Sequence, residues 1–518
     1  MNMKRIVSLL VALSILVGCS SALACTGLYV GKKASADGTT LIAHTVDGSN
    51  SGQGDVFAIP GVYNVPGRVF TAAEGKEFPL PDTTWAYTTT PFTRSNPLYG
   101  HVYDGTTANE KGVSCTGAVT CYTTEEIAAA DPLMGRGQGG LAESFLCQLV
   151  AMCASTAREG VEVLGKYVEM FGNAENNTIM IADQNEAWYV EYYTGHQWCA
   201  VRMPEDCVAV FGNMFMLGAV DVNSEDVICS EGLISMPQEA GLAVFTEDGL
   251  IDLYTTYSGG VAAHKDTSNR RNWYGHMMLA PSTVDPNYTT DTRYDLFYQP
   301  DEPVTLKQLF EVSRARFEGT PYCPEENDDV TFMRVIGVEV QVNIGIAQTF
   351  DNLPPEMAVV TWTSNSNAEH GVYLPVSNLI TDTAESFKYQ PAKNGIDLNL
   401  AHYHFKRLCA LAEQDRRLYG AGVRAYWSQM EDQLIADYPA VMAETQRLLN
   451  EDKAAAQEYI TKYTIDLQNK AVEDADTMFN ELFWYMIVNT NIKNDPLTVK
   501  PFVPSIMPVE EAAEGNAA

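Results

Sequence analysis

Residues 25–48 read CTGLYVGKKASADGTTLIAHTVDG, and this stretch decides how the chain is interpreted. It contains two runs typical of β-strands, 26–31 and 39–45, joined by a polar segment that ends in Asp37-Gly38. An Asp-Gly pair between two β-rich runs is a strong hairpin signal, because both residues tolerate the backbone conformations of tight turns. The sequence therefore predicts a β-hairpin directly after Cys25.

The residues before this hairpin have the pattern of a secretory signal peptide. Lys4 and Arg5 precede an apolar run over 6–18, which is short for a membrane span but suits the core of a signal peptide. The sequence Ala22-Leu23-Ala24 then matches the A-x-A pattern cut by signal peptidase. Residues 1–24 are accordingly predicted to be removed, which would make Cys25 the first residue.

A second interpretation of the same segment is open. The residues Leu-Val-Gly-Cys at 16–19 resemble a lipobox, in which Cys19 would be lipidated and would anchor the chain to a membrane. Both interpretations place the protein outside the cytoplasm, in the periplasm, the cell envelope or the extracellular space. No later segment of the sequence is long and apolar enough to cross a membrane.

The composition excludes several functional classes. Of the 518 residues, 46% are hydrophobic and 19% are charged, which is typical of a globular protein and not of a disordered or fibrous one. The 66 Asp and Glu residues outnumber the 33 Lys and Arg residues, giving a formal net charge of −33. This charge argues against nucleic acids or anionic lipids as partners, since both repel an acidic protein.

The order of the predicted elements indicates an α+β fold. Short strands dominate the first half, and two predicted helices interrupt them. The first spans 141–153, and the second begins with a capping box formed by Thr156 and Glu159. Beyond residue 397, three stretches are helix-forming, at 398–420, 423–437 and 440–492. We assign 25–396 to a core, 397–495 to a helical C-terminal region and the proline-interrupted stretch 496–518 to a disordered tail.

The eleven cysteines do not form a recognisable framework. No paired C-x-x-C units are present, so neither a zinc site nor a dithiol redox motif is predicted. Cys199 and Cys207 flank the turn-like residues 203–206, which fits either a disulfide across a hairpin or two buried thiols. His402 and His404 are two residues apart on a predicted helix and point to different faces, which argues against a metal site.

The sequence lacks the usual hydrolase and nucleotide-binding motifs, among them G-x-S-x-G, H-E-x-x-H and G-x-x-x-x-G-K. What stands out is Cys25 at the predicted cleavage site. A free α-amine has a pKa of about 7.7–8.0 and a thiol of about 8.5, so the amine can take the thiol proton. Nucleophile and base would then belong to one residue, and cleavage would activate the enzyme.

Residues 25–48 resemble the start of the cysteine dipeptidases typified by bacterial dipeptidase A. These are N-terminal nucleophile hydrolases related to choloylglycine hydrolase and penicillin V acylase. The resemblance continues in consistent order to about Thr381, through 109–113, 156–159, 181–191, 195–198, 212–215, 271–273 and 317–322. It implies a four-layer αββα sandwich with two antiparallel sheets between helical layers, small peptides as substrates, and no metal or organic cofactor.

The resemblance also implies roles for individual residues. Cys25 would be the nucleophile and, through its amine, the base. Asp47 would orient the cysteine and its amine. Asn213 would donate to the oxyanion, a role suited to an uncharged amide. Arg271, or its neighbour Arg270, would support the nucleophile.

Two departures from the related acylases bear on the site. His44 stands where they have an arginine, which removes a permanent cation near the thiolate. They also carry a second oxyanion asparagine about ten residues after the position of Asn109, where this chain has Val119-Thr120. Thr120, His44 and Asn109 are therefore candidates for the oxyanion site or its support, with a backbone N–H as the alternative to Thr120. The departures favour the peptidase branch over the acylases.

Two other functions stay open on the sequence alone. The same nucleophile could hydrolyse non-peptide N-acyl amides, or the chain could be a non-catalytic surface lipoprotein with a lipidated Cys19 and an internal Cys25. A homo-oligomer is compatible with the sequence.

Overall fold

The computed structural model describes residues 25–48, 55–71, 77–91, 105–117, 119–135, 139–327, 333–388, 395–489 and 499–508. The predicted signal peptide, the proposed lipidation site Cys19 and the end of the tail beyond residue 508 lie outside these ranges. Among the helices within them, none combines the length and the hydropathy of a membrane span.

The described strands all belong to antiparallel sheets or hairpins. In chain order they are β1 (Thr26–Val30), β2 (Thr40–Asp47), β3 (Phe57–Ile59), β4 (Val69–Thr71), β5 (Glu77–Pro79), β6 (Tyr87–Thr89), β7 (Thr106–Asn109), β8 (Ser114–Thr116), β9 (Val119–Thr120), β10 (Asn177–Ala182), β11 (Ala187–Tyr192), β12 (Trp198–Arg202), β13 (Val208–Phe211), β14 (Ala219–Val220), β15 (Val227–Cys229), β16 (Ile251–Asp252), β17 (Gln341–Thr349), β18 (Val359–Ser364) and β19 (Leu374–Ser377).

The helices fall into an early group of three, a central group and a C-terminal group. They are α1 (Glu125–Ala130), α2 (Glu143–Cys153), α3 (Ala157–Phe171), α4 (Ser235–Glu239), α5 (Leu253–Ser258), α6 (Asp266–Leu279), α7 (Leu306–Arg314), α8 (Ala401–Ala412), α9 (Ala421–Glu451) and α10 (Lys453–Asn489), with a π-helical turn at Arg416–Gly420 before α9.

The predicted hairpin after Cys25 is present and lies at the centre of a sheet. Strands β1 and β2 pair antiparallel with Leu28 opposite Ala43. Gly38 closes the turn at a φ of +76°, a backbone conformation that glycine adopts without steric penalty. Strand β13 flanks β1 and strand β17 flanks β2, so the six-stranded first sheet has the order β13-β1-β2-β17-β18-β19.

The second sheet has nine strands and faces the first. Its order is β15-β12-β11-β10-β8-β7-β6-β3, with β9 paired to β10. One apolar cluster joins the inward faces of both sheets and includes Tyr29 and Ile42 from the first sheet and Met180 and Tyr189 from the second. Because side chains alternate along a strand, the neighbouring residues point outward, toward helices.

Helices cover both outer faces. Helices α2 and α3 pack on the second sheet through a cluster that contains Ile179 and Ile181, and α3 begins at the predicted cap, where Thr156 Oγ1 accepts the N–H of Glu159 at 3.1 Å. Helices α6 and α7 pack on the first sheet, on the side of Leu28. The four-layer αββα arrangement implied by the family resemblance is therefore confirmed.

The C-terminal helices belong to the outer layer of the first sheet. Trp362 of β18 packs against Tyr438 of α9 with ring centroids 5.7 Å apart, and one apolar cluster runs from the first sheet into α8, α9 and α10. The break expected before residue 440 is absent, since α9 continues through Pro439 and ends at Glu451. Helix α9 packs against the first sheet and against the other C-terminal helices. This packing stabilises the helix by more than the backbone hydrogen bond lost at Pro439 costs.

Part of the expected disordered tail is packed instead. In the stretch 499–508, Phe502 is buried and its N–H donates to the carbonyl of Leu418 at 2.8 Å. The N–H of Ser505 donates to the Glu481 carboxylate at 2.8 Å. The prediction of a disordered tail is wrong for residues 499–508, because Phe502 packs against the C-terminal helices.

The hairpin disulfide considered for Cys199 and Cys207 is also wrong. Strand β12 belongs to the second sheet and β13 to the first, so the turn between them carries the chain from one sheet to the other. Both cysteines are free thiols, Cys199 buried and Cys207 partly exposed. On the side of β15, the residue opposite Cys199 is Cys229.

Candidate active site

Cys25 lies at the start of β1, between the two sheets. Its exposed fraction is 2%, and it belongs to the apolar cluster that joins them. The next residue is fixed by the facing strand, since the N–H of Thr26 donates to Thr45 Oγ1 at 2.9 Å. The nucleophile predicted from the sequence thus stands on the central hairpin, a rigid element of the fold.

Arg271 of α6 contacts three parts of the site at once. Its Nη1 donates to the carbonyl of Cys25 at 2.7 Å and to Thr26 Oγ1 at 2.9 Å. Its Nη2 donates to Asn213 Oδ1 at 2.8 Å. Gly212 makes this approach possible, because a Cβ there would come within 2.9 Å of the guanidinium. The planar donors of arginine suit this bridge, which the single ammonium of lysine could not reproduce.

The structure also decides between the two neighbouring arginines. Arg270 points away from Cys25, forms an ion pair with Asp266 at 2.5 Å and lies over the rings of Tyr288 and Tyr322. Arg271 alone contacts the first residues of β1. Of the two arginines, Arg271 is therefore the one that is placed to support Cys25.

Asp47, at the end of β2, is buried and forms an ion pair with Arg334. Burial raises the pKa of this carboxyl, while the positive charges of Arg334 and Arg271 and a hydrogen bond from Arg334 oppose the rise. Burial also lowers the pKa of Arg271, to about 9, helped by the neighbouring Arg334 and opposed by Asp47 and Cys25. Three charged groups thus share one buried space beside the thiol.

Sequence reasoning missed Arg334. It lies in the irregular segment between α7 and β17, in no motif that the sequence alone makes visible. Burial raises the pKa of the Cys25 thiol, and the positive charge of Arg334 opposes that rise only weakly. A buried acid at Asp47 signals that some counter-charge is needed, but not which residue supplies it.

The thiol of Cys25 is not ionised by its surroundings in the intact chain. Burial raises its pKa well above the usual range, and the negative charges of Asp47 and Glu143 raise it further. The backbone N–H of Asp47 and the charge of Arg334 act in the opposite direction and are outweighed. A base must therefore remove the thiol proton before Cys25 can act as a nucleophile.

Asn213 is held in a fixed orientation. Its Nδ2 donates to the backbone carbonyl of Thr120 at 2.9 Å, its Oδ1 accepts from Arg271, and its own carbonyl accepts from Ser268 Oγ at 3.2 Å. An amide nitrogen carries two hydrogens, and within the described residues only the one given to Thr120 has an acceptor. Asn213 can thus present an N–H to a developing negative charge, as expected for an oxyanion donor.

Thr120 lies at the site, but its hydroxyl already donates a hydrogen bond to another residue. Its hydroxyl donates to Glu143 Oε2 at 3.3 Å, and its carbonyl holds Asn213. Glu143 is buried at the start of α2 and was not singled out from the sequence. The hydrogen bonds connect Glu143, Thr120, Asn213, Arg271 and Cys25 in one chain.

His44 is buried between the sheets. It lies opposite Gly27 on one side and Gly345 on the other. A Cβ at Gly117 of the facing sheet would come within 2.5 Å of its Nδ1. His44 thus occupies space that the missing side chain of Gly117 leaves open.

Asn109 does not belong to the site, contrary to the expectation from the sequence. Its Nδ2 donates to the carbonyls of Ala151 and Ala154 at the end of α2, at 3.0 and 2.8 Å. Its Oδ1 accepts the N–H groups of Lys111 and Val113, both at 3.0 Å. These contacts lie on the face of the second sheet that is turned away from Cys25. Asn109 fixes a turn and the end of a helix.

The sequence matches the family described as Peptidase family C69 over residues 24–429. The chain belongs to peptidase family C69. The resemblance to cysteine dipeptidases is thereby confirmed at the level of the family. As a C69 member the chain is a peptide-bond hydrolase, and a cysteine nucleophile is consistent with this family.

Relatives of this C69 peptidase carry dipeptidase names. It is 28% identical to a probable dipeptidase of Latilactobacillus sakei, over 77% of this chain and 82% of the relative. It is 29% identical to a probable dipeptidase B of Streptococcus pyogenes serotype M1, over 86% and 90%. It is 25% identical to dipeptidase A of Lactobacillus helveticus, over 76% and 83%.

Proposed function

We propose that this C69 peptidase is an exported dipeptidase whose nucleophile is Cys25, made N-terminal by removal of residues 1–24. The observation that carries the proposal is the position of Arg271, which binds the carbonyl of Cys25 and the side chain of Asn213 with one guanidinium. A nucleophile and an oxyanion donor are thereby held in a fixed relation. The dipeptidase names of the relatives supply the substrate class.

Cleavage before Cys25 would supply the missing base. In the intact chain the backbone nitrogen of Cys25 is an amide, which is not basic, and the thiol is protonated because its pKa is raised. Removal of the leader converts this nitrogen into an α-amine that accepts the thiol proton. The resulting ammonium is stabilised by Asp47, whose charge already acts on Cys25 in the intact chain.

The catalytic cycle then uses this single residue twice. The Cys25 thiolate attacks the carbonyl carbon of the peptide bond, and the oxyanion accepts the second N–H of Asn213. The C–N bond breaks, the α-ammonium of Cys25 protonates the leaving amine, and an acyl thioester remains. Water attacks the thioester carbonyl while the α-amine takes its proton, and the carboxylate product leaves with release of the thiolate.

The second oxyanion donor is a backbone N–H in this scheme. The Thr120 hydroxyl already donates to Glu143, which disfavours the direct role considered for it from the sequence. Backbone N–H groups serve the same purpose in other acyl-transfer enzymes.

Export is proposed from the leader sequence. The residues before position 24 lie outside the family match and have the charge and apolar pattern of a signal peptide. Intact-mass measurement of the mature protein distinguishes cleavage before Cys25 from retention of a lipidated Cys19. A chain that keeps Cys19 and an internal Cys25 would contradict the proposed mechanism and support the surface-lipoprotein alternative.

The deciding experiment compares the processed protein with its Cys25→Ala and Cys207→Ser variants on a panel of dipeptides and N-acyl amino acids. Cys25→Ala should abolish dipeptide hydrolysis, while Cys207→Ser, a thiol on a turn outside the site, should keep it. Unchanged turnover by Cys25→Ala would overturn the mechanism. Turnover of N-acyl amino acids in preference to dipeptides would favour the non-peptide amidase instead.

A further inference from the structure

Two cysteines outside the active site face each other across the edge of the second sheet. Strands β12 and β15 pair antiparallel with Cys199 opposite Cys229. Both are free thiols. Strand β15 is the last strand of its sheet, so this pair joins an edge strand to the interior.

The backbone hydrogen bonds identify the type of this pair. The N–H of Arg202 donates to Asp226 at 2.9 Å, and the N–H of Ser230 donates to Trp198 at 3.1 Å. Hydrogen-bonded and non-hydrogen-bonded pairs alternate along antiparallel strands, so the pair next to Trp198 and Ser230 is non-hydrogen-bonded. Such pairs have Cα atoms about 4.5 Å apart, within the range of about 4.4–6.8 Å that disulfides span.

Both thiols also lie on the same face. Cys199 belongs to the apolar cluster between the sheets, and Cys229 packs against that cluster. Their neighbours Ala200 and Ile228 belong to the cluster on the opposite face, under α3. Cys199 is fully buried, whereas Cys229 is partly exposed and can be reached from solvent.

We propose that Cys199 and Cys229 form a disulfide when the protein meets a small-molecule disulfide oxidant. The Cys229 thiolate attacks one sulfur of the oxidant, which forms a mixed disulfide and releases one thiolate. Cys199 then gives up its proton and attacks the Cys229 sulfur, which forms the intramolecular bond and releases the second thiolate. Two protein thiols are oxidised, and one oxidant disulfide is reduced to two thiols.

The disulfide would restrict the motion of a segment that contributes to the candidate active site. The covalent loop from Cys199 to Cys229 contains β13 and Asn213, and its closure limits the freedom of this segment in partly unfolded states. Edge strands are otherwise the first to separate from a sheet. The oxidised pair would therefore be a disulfide cross-link that stabilises the segment containing Asn213. This inference does not depend on the catalytic role of Cys25.

The test uses a Cys25→Ala background, which removes the catalytic thiol as a competitor. The folded protein is incubated with oxidised or with reduced glutathione, and the remaining thiols are alkylated. Digestion after Lys, Arg and Glu places Cys199 in peptide 192–202, Cys207 in 206–225 and Cys229 in 226–231. We expect the cross-linked peptides 192–202 and 226–231 after oxidation and none after reduction. Full alkylation of both cysteines, or a bond from either one to Cys207, would overturn the proposal.

Matched serine variants give a second readout. In the same background, Cys207→Ser should keep the cross-link and Cys229→Ser should lose it. Oxidation should raise the Tm by a few degrees in the background protein and in Cys207→Ser but not in Cys229→Ser. Since Cys229 is partly exposed, its serine variant is expected to fold even if Cys199→Ser does not. An equal rise in all three proteins would contradict the assignment of the stabilisation to this bond.

Discussion

The guanidinium of Arg271 donates a hydrogen bond of 2.7 Å to the carbonyl oxygen of Cys25. This contact fixes the residue proposed to carry both nucleophile and base, and the other nitrogen of the same group fixes Asn213. Arg271 contacts the carbonyl of Cys25 and the side chain of Asn213, so we expect it to act as a positioning residue. Replacing Arg271 should therefore lower kcat, because Cys25 and Asn213 would lose their fixed relative position.

Replacement of Arg271 by lysine should separate positioning from charge. Lysine keeps a cation near Asp47 but cannot bond Cys25 and Asn213 together, so we expect kcat to fall by about 10²-fold through misplacement of the reacting groups. The matched control is Arg270→Lys, whose side chain pairs with Asp266 outside the site. Steady-state kinetics on one dipeptide measures both variants. An equal loss of kcat in Arg271→Lys and Arg270→Lys would show that the hydrogen bonds of Arg271 to Cys25 and Asn213 are not the cause.

Replacement of Asn213 by alanine should remove the proposed oxyanion donor. Loss of one such donor typically lowers kcat by about 10²–10³-fold, and KM should change little because the interaction forms in the transition state. The control is Asn109→Ala, which removes four hydrogen bonds far from Cys25. That variant should have a lower Tm but a normal kcat per folded molecule. A rise in KM alone for Asn213→Ala would argue for a substrate-binding role instead.

The comparison of these two asparagines shows what the sequence can predict here. Asn109 is the last residue of a short strand and Asn213 follows one, and both side chains are suited to donate a hydrogen bond. Only the fold reveals that Asn109 binds the end of α2 whereas Asn213 is connected to Cys25 through Arg271. By contrast, the hairpin after Cys25, the cap at Thr156 and the position of Asp47 rest on local signals, and the structure has them where the sequence placed them.

The features that sequence reasoning missed depend on contacts between distant segments. Arg334 reaches Asp47 from a loop without regular structure, and Glu143 reaches Thr120 from the start of a helix. The pairing of Cys199 with Cys229 depends on strand order within a sheet. The turn after Cys199 looked like a hairpin because its local pattern is the same whether the chain returns to its own sheet or crosses to the other one.

A partly buried carboxyl at the junction with the C-terminal helices should make stability depend on pH. Burial raises the pKa of Glu413 to about 7, from an ordinary value of 4.5, and its Oε1 accepts the amide of Asn367. Between these two pKa values the folded state binds more protons at this group than the unfolded state, so the free energy of unfolding falls as pH rises from 4.5 to about 7.

Glu413→Gln keeps an oxygen for Asn367 and removes the titration. We expect the difference in unfolding free energy between variant and wild type to shift in favour of the variant as pH rises through this window. Denaturant unfolding at several pH values measures it. A difference that stays constant with pH would show that Glu413 keeps an ordinary pKa in the folded protein.

The proposed activation by cleavage can be tested on one preparation. A chain that carries a short removable extension before Cys25 should fold normally but hydrolyse dipeptides about 10²–10⁴-fold more slowly than the same chain after the extension is cut off, since an amide replaces the basic amine. Activity is measured before and after cleavage by a site-specific protease, with the extended Cys25→Ala chain as the control for contaminating peptidases. Alkylation of Cys25 by iodoacetamide at neutral pH should accelerate on cleavage as well, because the amine increases the thiolate fraction. If the extended chain is as active as the cut one, another group is the base, and Asp47 becomes the first candidate because its charge already acts on the thiol.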